Sequence, residues 1–178
     1  MSGQRGAEIL LTERLRLRLL TPGDAAHYLE VLNDPAFIAH IGDRGVRTLE
    51  AAVKSIADGP VAMQRALGHS MYMVELREDG GVPVGMAGLI KRDGLDDVDI
   101  GYAFLPRYRG RGYAFEAAQG VVAHARALGI ARLAAITTPG NAASIALLLR
   151  LGMRFEGTRT LAEGAPPLNL YRMALSER

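Results

Sequence analysis

Between Ser70 and Gly129 the hydrophobic pattern changes from strand-like to helix-like, and this change restricts the fold more than any other feature of the chain. SMYMVELR and VPVGMAGLIKR have strand length and flank EDGG, whose glycines suit the turn of a hairpin. A third strand, DVDIGYAFL, stops at Pro106. Beyond it the spacing predicts a helix from about 111 to 128 closed by Gly129, a strand RLAAITT and a second helix opening near Asn141. A strand around Met153 to Gly157 and a last strand, LNLYRMAL, follow. Strands first and β-α-β-α-β afterwards predict an α/β (mixed α+β) fold, one mixed sheet with helices packed on it.

The amino-terminal part adds a strand and helices. RLRLRL, Arg14 to Leu19, places Leu15, Leu17 and Leu19 on one face and the arginines on the other, where a solvated strand face is expected. In TPGDAAHYLEVLND, Thr21 can cap, Pro22 suits the first helical position and Asp24 suits the first turn, which predicts a short helix. Residues 48–67 read as helical at both ends but contain Gly59-Pro60, so two helices or one broken helix are expected.

With 178 residues, 49% of them hydrophobic, the chain has the size and composition of a single domain spanning 1–178. The absence of cysteine excludes disulfides, thiolate metal sites and cysteine nucleophiles, and no metal site is expected. A net charge of +2, from 21 basic and 19 acidic residues, does not fit a strongly basic nucleic-acid protein. No secretory signal and no membrane-length apolar run is present, so a cytoplasmic, soluble protein without a membrane partner is expected.

The most informative loop is RYRGRGYAFEAAQG, residues 107–120. A strand enters it, a helix leaves it, and Gly110 and Gly112 permit the dihedrals of a concave turn, so backbone N–H groups should converge just beyond the strand. Arg107, Arg109 and Arg111 could add charge-assisted contacts around the rim. A nucleic-acid backbone, a nucleotide phosphate and an ordinary solvated turn compete as explanations. The dinucleotide fingerprint fails, because Phe115 stands where its third glycine belongs, and no Walker-type phosphate loop occurs. Few aromatics accompany the basic residues, which counts against single-stranded nucleic acid.

Arg107, Gly110 and Gly112 match the pattern [QR]-x-x-G-x-[GA], and at this point the sequence resembles the GNAT superfamily of acyl-CoA-dependent N-acetyltransferases. DIGYAFLPRYRGRGYAFEA, TPGNAASIALLLRLGMRFEG and TERLRLRLLTPGDAAHYLEVLNDP are similar to the branch containing the ribosomal-protein N-terminal acetyltransferases, and the resemblance covers nearly the whole chain. Met153 departs from it by replacing an aromatic residue. The resemblance implies a strongly twisted, mostly antiparallel sheet with splayed central strands and helices on both faces. It implies acetyl-CoA as co-substrate, with the pyrophosphate on the backbone of Arg109, Gly110, Arg111, Gly112, Tyr113 and Ala114. The pantetheine arm would lie along Tyr102, Ala103, Phe104 and Leu105. Asn141 and Ser144 match cofactor contacts, and Ser144 a candidate proton donor for the departing thiolate.

For the residue that deprotonates the amine, Glu75, Asp99, His40 and His69 are candidates, and Tyr171 is an alternative acid; their ordinary roles would be solvation or packing. The expected acceptor is an amine, on a protein N-terminus or a small molecule, and the family is often homodimeric. The alternatives are a non-catalytic acyl-CoA sensor and an RNA-binding module that uses RYRGRGY.

Overall fold

The computed structural model describes residues 5–176. In chain order the elements are β1 (Glu8–Leu11), β2 (Leu15–Leu19), α1 (Ala25–Leu32), α2 (Pro35–His40), α3 (Leu49–Ile56), α4 (Ala62–Leu67), β3 (Met71–Leu76), β4 (Pro83–Ile90), β5 (Val98–Phe104), α5 (Tyr113–Ala127), β6 (Arg132–Thr137), α6 (Ala142–Arg150), β7 (Arg154–Arg159) and β8 (Leu168–Ala174). All strands join one 8-stranded sheet in the order β1-β2-β3-β4-β5-β6-β8-β7. Every neighbouring pair is antiparallel except β5 and β6, which run parallel.

That parallel pair is where the sheet opens. It pairs only at Val98 with Leu133 and Asp99 with Ala134, after which the strands separate. β5 stays with β4 as far as Phe104 opposite Gly85, and β6 stays with β8 as far as Thr137 opposite Asn169. The inner edges of β5 and β6 beyond Asp99 therefore carry backbone groups without ladder partners, a built place for a polar, extended guest.

Alternation along the strands feeds two cores. Tyr72, Val74, Leu89 and Ile100 face α5, whose Ala117, Ala118, Val121 and Ala125 allow close approach, and Leu148 of α6. Met73 and Met86 face the other way, against Val31 and Leu32 of α1, Phe37 of α2 and Ala52 and Ile56 of α3. Helices thus cover both faces. Each large side chain buried in these layers contributes roughly 1.5–3 kcal/mol.

Three features differ from the sequence expectations. β1 adds an edge strand that alternation did not suggest, pairing with β2. Gly59-Pro60 does not break the helix: helical backbone runs from α3 to α4 through a π turn, Ala57–Val61, with Pro60 inside it. The wider turn relieves the clash between a proline ring and the preceding carbonyl, and such turns recur at functional sites. Finally, Arg18 is not solvated. It is 5% exposed, and its Nε donates to Glu75 Oε1 at 2.6 Å while both Nη atoms donate to Asp24 at 2.8 and 2.7 Å. Burial opposes the Arg18 charge, but the bonds to Asp24 and Glu75 more than reverse that, so the guanidinium is held above its ordinary value.

Candidate functional site

A cavity of about 970 Å³ occupies the gap between β5 and β6. Tyr28, Phe37 and His40 line it from one helical layer, Gly110, Gly112 and Ser144 from the loop and helices of the other, and Ile100 to Phe104 run along its edge. Two reactants can therefore meet within the plane of the sheet, each reaching it from its own side.

The loop before α5 is built of backbone. Gly110 and Gly112 have φ of +74° and +80°, the left-handed region that glycine enters without a Cβ penalty. Among the described residues, the N–H groups of Gly110, Arg111, Gly112, Tyr113, Ala114 and Phe115 have no acceptor, and the intrahelical pattern starts with Glu116 N donating to Gly112 O. A Cβ on Gly110 would meet no atom within 4 Å, so it is the positive φ rather than a clash that favours glycine there. Unpaired N–H groups at the positive end of a 15-residue helix fit a diphosphate.

The loop arginines have other tasks than the expected rim contacts. Arg107 Nη1 donates to Glu30 Oε1 at 2.5 Å, tying the loop to α1. Arg109 Nη2 donates to Asp34 Oδ2 at 2.5 Å, and its Nε to Phe104 O at 3.0 Å. Asp34 also caps α2, so Arg109 joins that helix to the loop. On the far side Arg14 Nη1 donates to Arg111 O at 2.9 Å and Arg14 Nε to Glu116 Oε1 at 2.7 Å, with the guanidinium over the Tyr113 ring. Of the three loop arginines, only Arg111 has no ion-pair partner among the described residues. Arg14, Glu30, Asp34 and Glu116 were not singled out from the sequence, because the pairs they make span between 75 and 102 residues.

The model of the acetyltransferase (GNAT) domain matches residues 14–154. The chain belongs to the GNAT acetyltransferase family. N-acetyltransferase YoaA of Bacillus subtilis (strain 168), itself uncharacterized, is 28% identical to this acetyltransferase over 152 residues, covering 84% of each chain. An acetyltransferase of Agrobacterium tumefaciens str. C58 superposes with a TM-score of 0.78 at 25% identity, over 96% of both chains. RimL, a ribosomal L7/L12 α-N-protein acetyltransferase in complex with coenzyme A, shares the fold with a TM-score of 0.79 at 20% identity, over 94% of this chain and 98% of its own.

In this acetyltransferase the site residues expected from sequence fall into three groups. Asp99, Tyr102, Ala103, Phe104, Arg109, Gly110, Gly112, Tyr113, Ala114, Asn141 and Ser144 line the cavity. The Leu105 side chain is 2% exposed and packs in the core, and Leu105, Arg107 and Arg111 lie outside the lining. Glu75, His69 and Tyr171 are also outside it. Glu75 is instead the buried partner of Arg18. Tyr171 packs against Phe155 with ring centroids 5.6 Å apart.

Two polar groupings face the cavity. Tyr102 on β5 and Ser144 on α6 meet across the gap, with their hydroxyl oxygens 2.7 Å apart, while Asn141 Oδ1 accepts from Ser144 N at 3.3 Å as the cap of α6. Burial pushes the Tyr102 phenol up, and its bond to Ser144 opposes this, so the hydroxyl stays protonated at neutral pH. At the point where β5 and β6 part, Asp99 is fully buried; its Oδ2 accepts from Arg92 Nε at 2.9 Å and its Oδ1 has no hydrogen-bond partner. Burial raises the Asp99 carboxyl above its ordinary value, and Arg92 counteracts only part of that. His40 lines the same cavity, with Nδ1 2.8 Å from Thr138 Oγ1. Among the described residues there is no group of side chains fit to hold a metal and no helix long and apolar enough to cross a membrane.

Proposed function

We propose that the chain, working as a single domain, transfers an acetyl group from acetyl-CoA to a primary amine by direct attack in a ternary complex. The observation that carries this is the unbroken run of unpaired N–H groups from Gly110 to Phe115 at the mouth of a cavity that passes between β5 and β6. The loop holds the diphosphate, and the free inner edge of β5 holds the pantetheine arm, which delivers the thioester to the gap.

The chain's residues then divide the proton traffic. Asp99 accepts a proton from the acceptor ammonium, directly or through one water; its raised carboxyl is the better base for burial. The freed lone pair forms the N–C bond to the acetyl carbonyl, the C–S bond breaks, the sulfur takes a proton from Ser144 Oγ, which Tyr102 replenishes across their 2.7 Å contact, and the second proton shed by the nitrogen returns through water to the Tyr102 phenolate. The acceptor is an amine of a protein N-terminus or a small molecule. RNA binding through RYRGRGY loses its charge basis, because Arg107 and Arg109 are each neutralised by a carboxylate.

Saturating acetyl-CoA should raise the melting temperature, by about 2.7 kcal/mol of stability at a hundred times its Kd. Gly110→Ala should weaken or abolish that rise, since a Cβ at φ of +74° disfavours the turn that presents the N–H groups; the apo variant's own melting curve accounts for the left-handed strain. An undiminished rise in Gly110→Ala would remove the loop from the cofactor site. Release of CoA thiol, read by a thiol dye in a chain without cysteine, separates an enzyme from an acyl-CoA sensor.

A further inference from the structure

We infer that the acceptor is a small amine that carries its own anionic group, such as an amino acid, with the anion held by Arg44 and Arg92 while its ammonium faces Asp99. This rests on the acetyl transfer proposed above and specifies its second substrate.

The charges that line the cavity do not cancel. Asp34 is taken by Arg109, and the Asp99 carboxylate receives only Nε of Arg92, leaving both terminal NH₂ groups of Arg92 without an acceptor among the described residues. Arg44 lines the same cavity and makes no hydrogen bond or ion pair with a described residue. Arg44 is exposed to solvent, yet partial desolvation and then the neighbouring Arg92 charge hold its guanidinium below its ordinary value. Two cations facing one space, one of them uncompensated, favour an incoming anion; they repel a second ammonium. Arginine suits the task, because its planar donors match a carboxylate or phosphate in a bidentate manner.

The same cavity supplies the rest of such a substrate's complement. Asp99 Oδ1 is buried without a partner, and an ammonium brought to it would supply one. Met63, Met71 and Met86 offer an apolar wall that adapts to side chains of different shape. An ammonium beside Asp99 with an anion a few bonds away satisfies both ends at once. A polyamine or aminoglycoside would bring positive charge to Arg44 and leave the cations unmatched.

The test uses L-leucine, L-leucinamide, 2-aminoethylphosphonate and spermidine as acceptors at saturating acetyl-CoA, read by thiol release. The same amines are also titrated against the CoA-loaded protein by thermal shift. Leucine should exceed leucinamide by roughly tenfold or more in kcat/KM, as expected for losing one charged hydrogen-bonded contact. Turnover of leucine but not of the phosphonate identifies a carboxylate reader, the reverse identifies a phosphate reader, and either supports the inference. Arg44→Ala should bring the leucine-to-leucinamide ratio, in rate and in thermal shift, close to one. Preference for leucinamide or spermidine, a ratio unchanged in Arg44→Ala, or acetyl-CoA binding with no response to either anionic amine would overturn it. If acetyl-CoA itself neither shifts the melting temperature nor releases thiol with any amine, it is the transferase assignment that fails.

Discussion

Glu75 and Asp99 are both strand carboxylates, both buried, and each has one oxygen without a hydrogen-bond partner. They nevertheless belong to different kinds of site. Glu75 on β3 sits with Asp24 around the Arg18 guanidinium, enclosed by protein on every side that matters. Asp99 on β5 receives one nitrogen of Arg92 and, though buried, belongs to the cavity wall at the last ladder pair before the sheet parts. Burial alone does not separate a structural ion cluster from a working acid–base group. Access to a space where a reactant can sit does, together with how completely the charge is already matched.

Substitution separates the two most sharply. Asp99→Asn keeps an oxygen for Arg92 but cannot take a proton, so kcat/KM should fall by about 10²–10⁴, the usual worth of a positioned base. Acetyl-CoA binding, followed by thermal shift, should persist. At neutral pH the variant should be at least as stable as the parent, because an Asp whose folded pKa is raised costs stability once the pH exceeds that pKa. A loss of activity no larger than that of Glu75→Gln would erase the distinction.

Arg18→Met tests the other side. It leaves Glu75 and Asp24 buried without a cation and should cost about 3–5 kcal/mol in urea unfolding, with little change in acetyl-CoA affinity for the molecules that remain folded. The pH dependence carries a sign. Asp24 is desolvated, but its bonds from Arg18 and Thr21 more than offset this, so its carboxyl lies below the ordinary 3.8. In the parent its stabilisation is complete above that value and is lost as pH falls through the folded pKa. In Arg18→Met the Asp24 dependence should reverse, with the protein gaining stability toward acid as that desolvated carboxylate protonates.

Asp99 and Arg92 yield a smaller, kinetic effect. If Asp99 is the base, kcat/KM falls in acid as pH drops through its raised pKa. Arg92 partly holds that pKa down, so Arg92→Gln should move the acid limb to higher pH in addition to weakening an anionic acceptor. A limb that stays in place while the rate falls would assign the base to another group, with His40 the other candidate on the same cavity.

The contrast between the two carboxylates was beyond the reach of sequence, although much around them was not. Strand and helix order from Ser70 onward followed from changes in hydrophobic period, and Gly110 and Gly112 marked the loop because only certain dihedrals build it. Local chemistry also placed Asn141 as a cap. What escaped was set by partners distant along the chain. RLRLRL looks the same whether its arginines face water or, as for Arg18, a carboxylate 57 residues away. RYRGRG likewise suggests three cations for an anion, whereas Arg107 and Arg109 are held by Glu30 and Asp34. The π turn was hidden for a related reason, since Gly59-Pro60 encodes a disturbance and packing decides whether it becomes a break or a widened turn.

Glu116 is a third carboxylate and extends the comparison to a partly exposed site, where the effect should be smallest. It lies in the first turn of α5 and accepts from Thr12 Oγ1 at 2.5 Å, Arg14 N at 3.0 Å and Arg14 Nε at 2.7 Å. Burial alone would raise its carboxyl; the bonds from Thr12 and Arg14 more than compensate and hold it below the ordinary value, so its contribution is present at neutral pH and lost in acid. Glu116→Gln keeps the shape and some of the bonds, and should cost about 0.5–1.5 kcal/mol. Because Arg14 also holds Arg111 O, loosening this contact should reach the cradle as a modest rise in KM for acetyl-CoA with kcat unchanged. A fall in kcat instead would mean that the fastening of α5 positions the thioester as well as the diphosphate, and that the loop and the reacting end are mechanically one site.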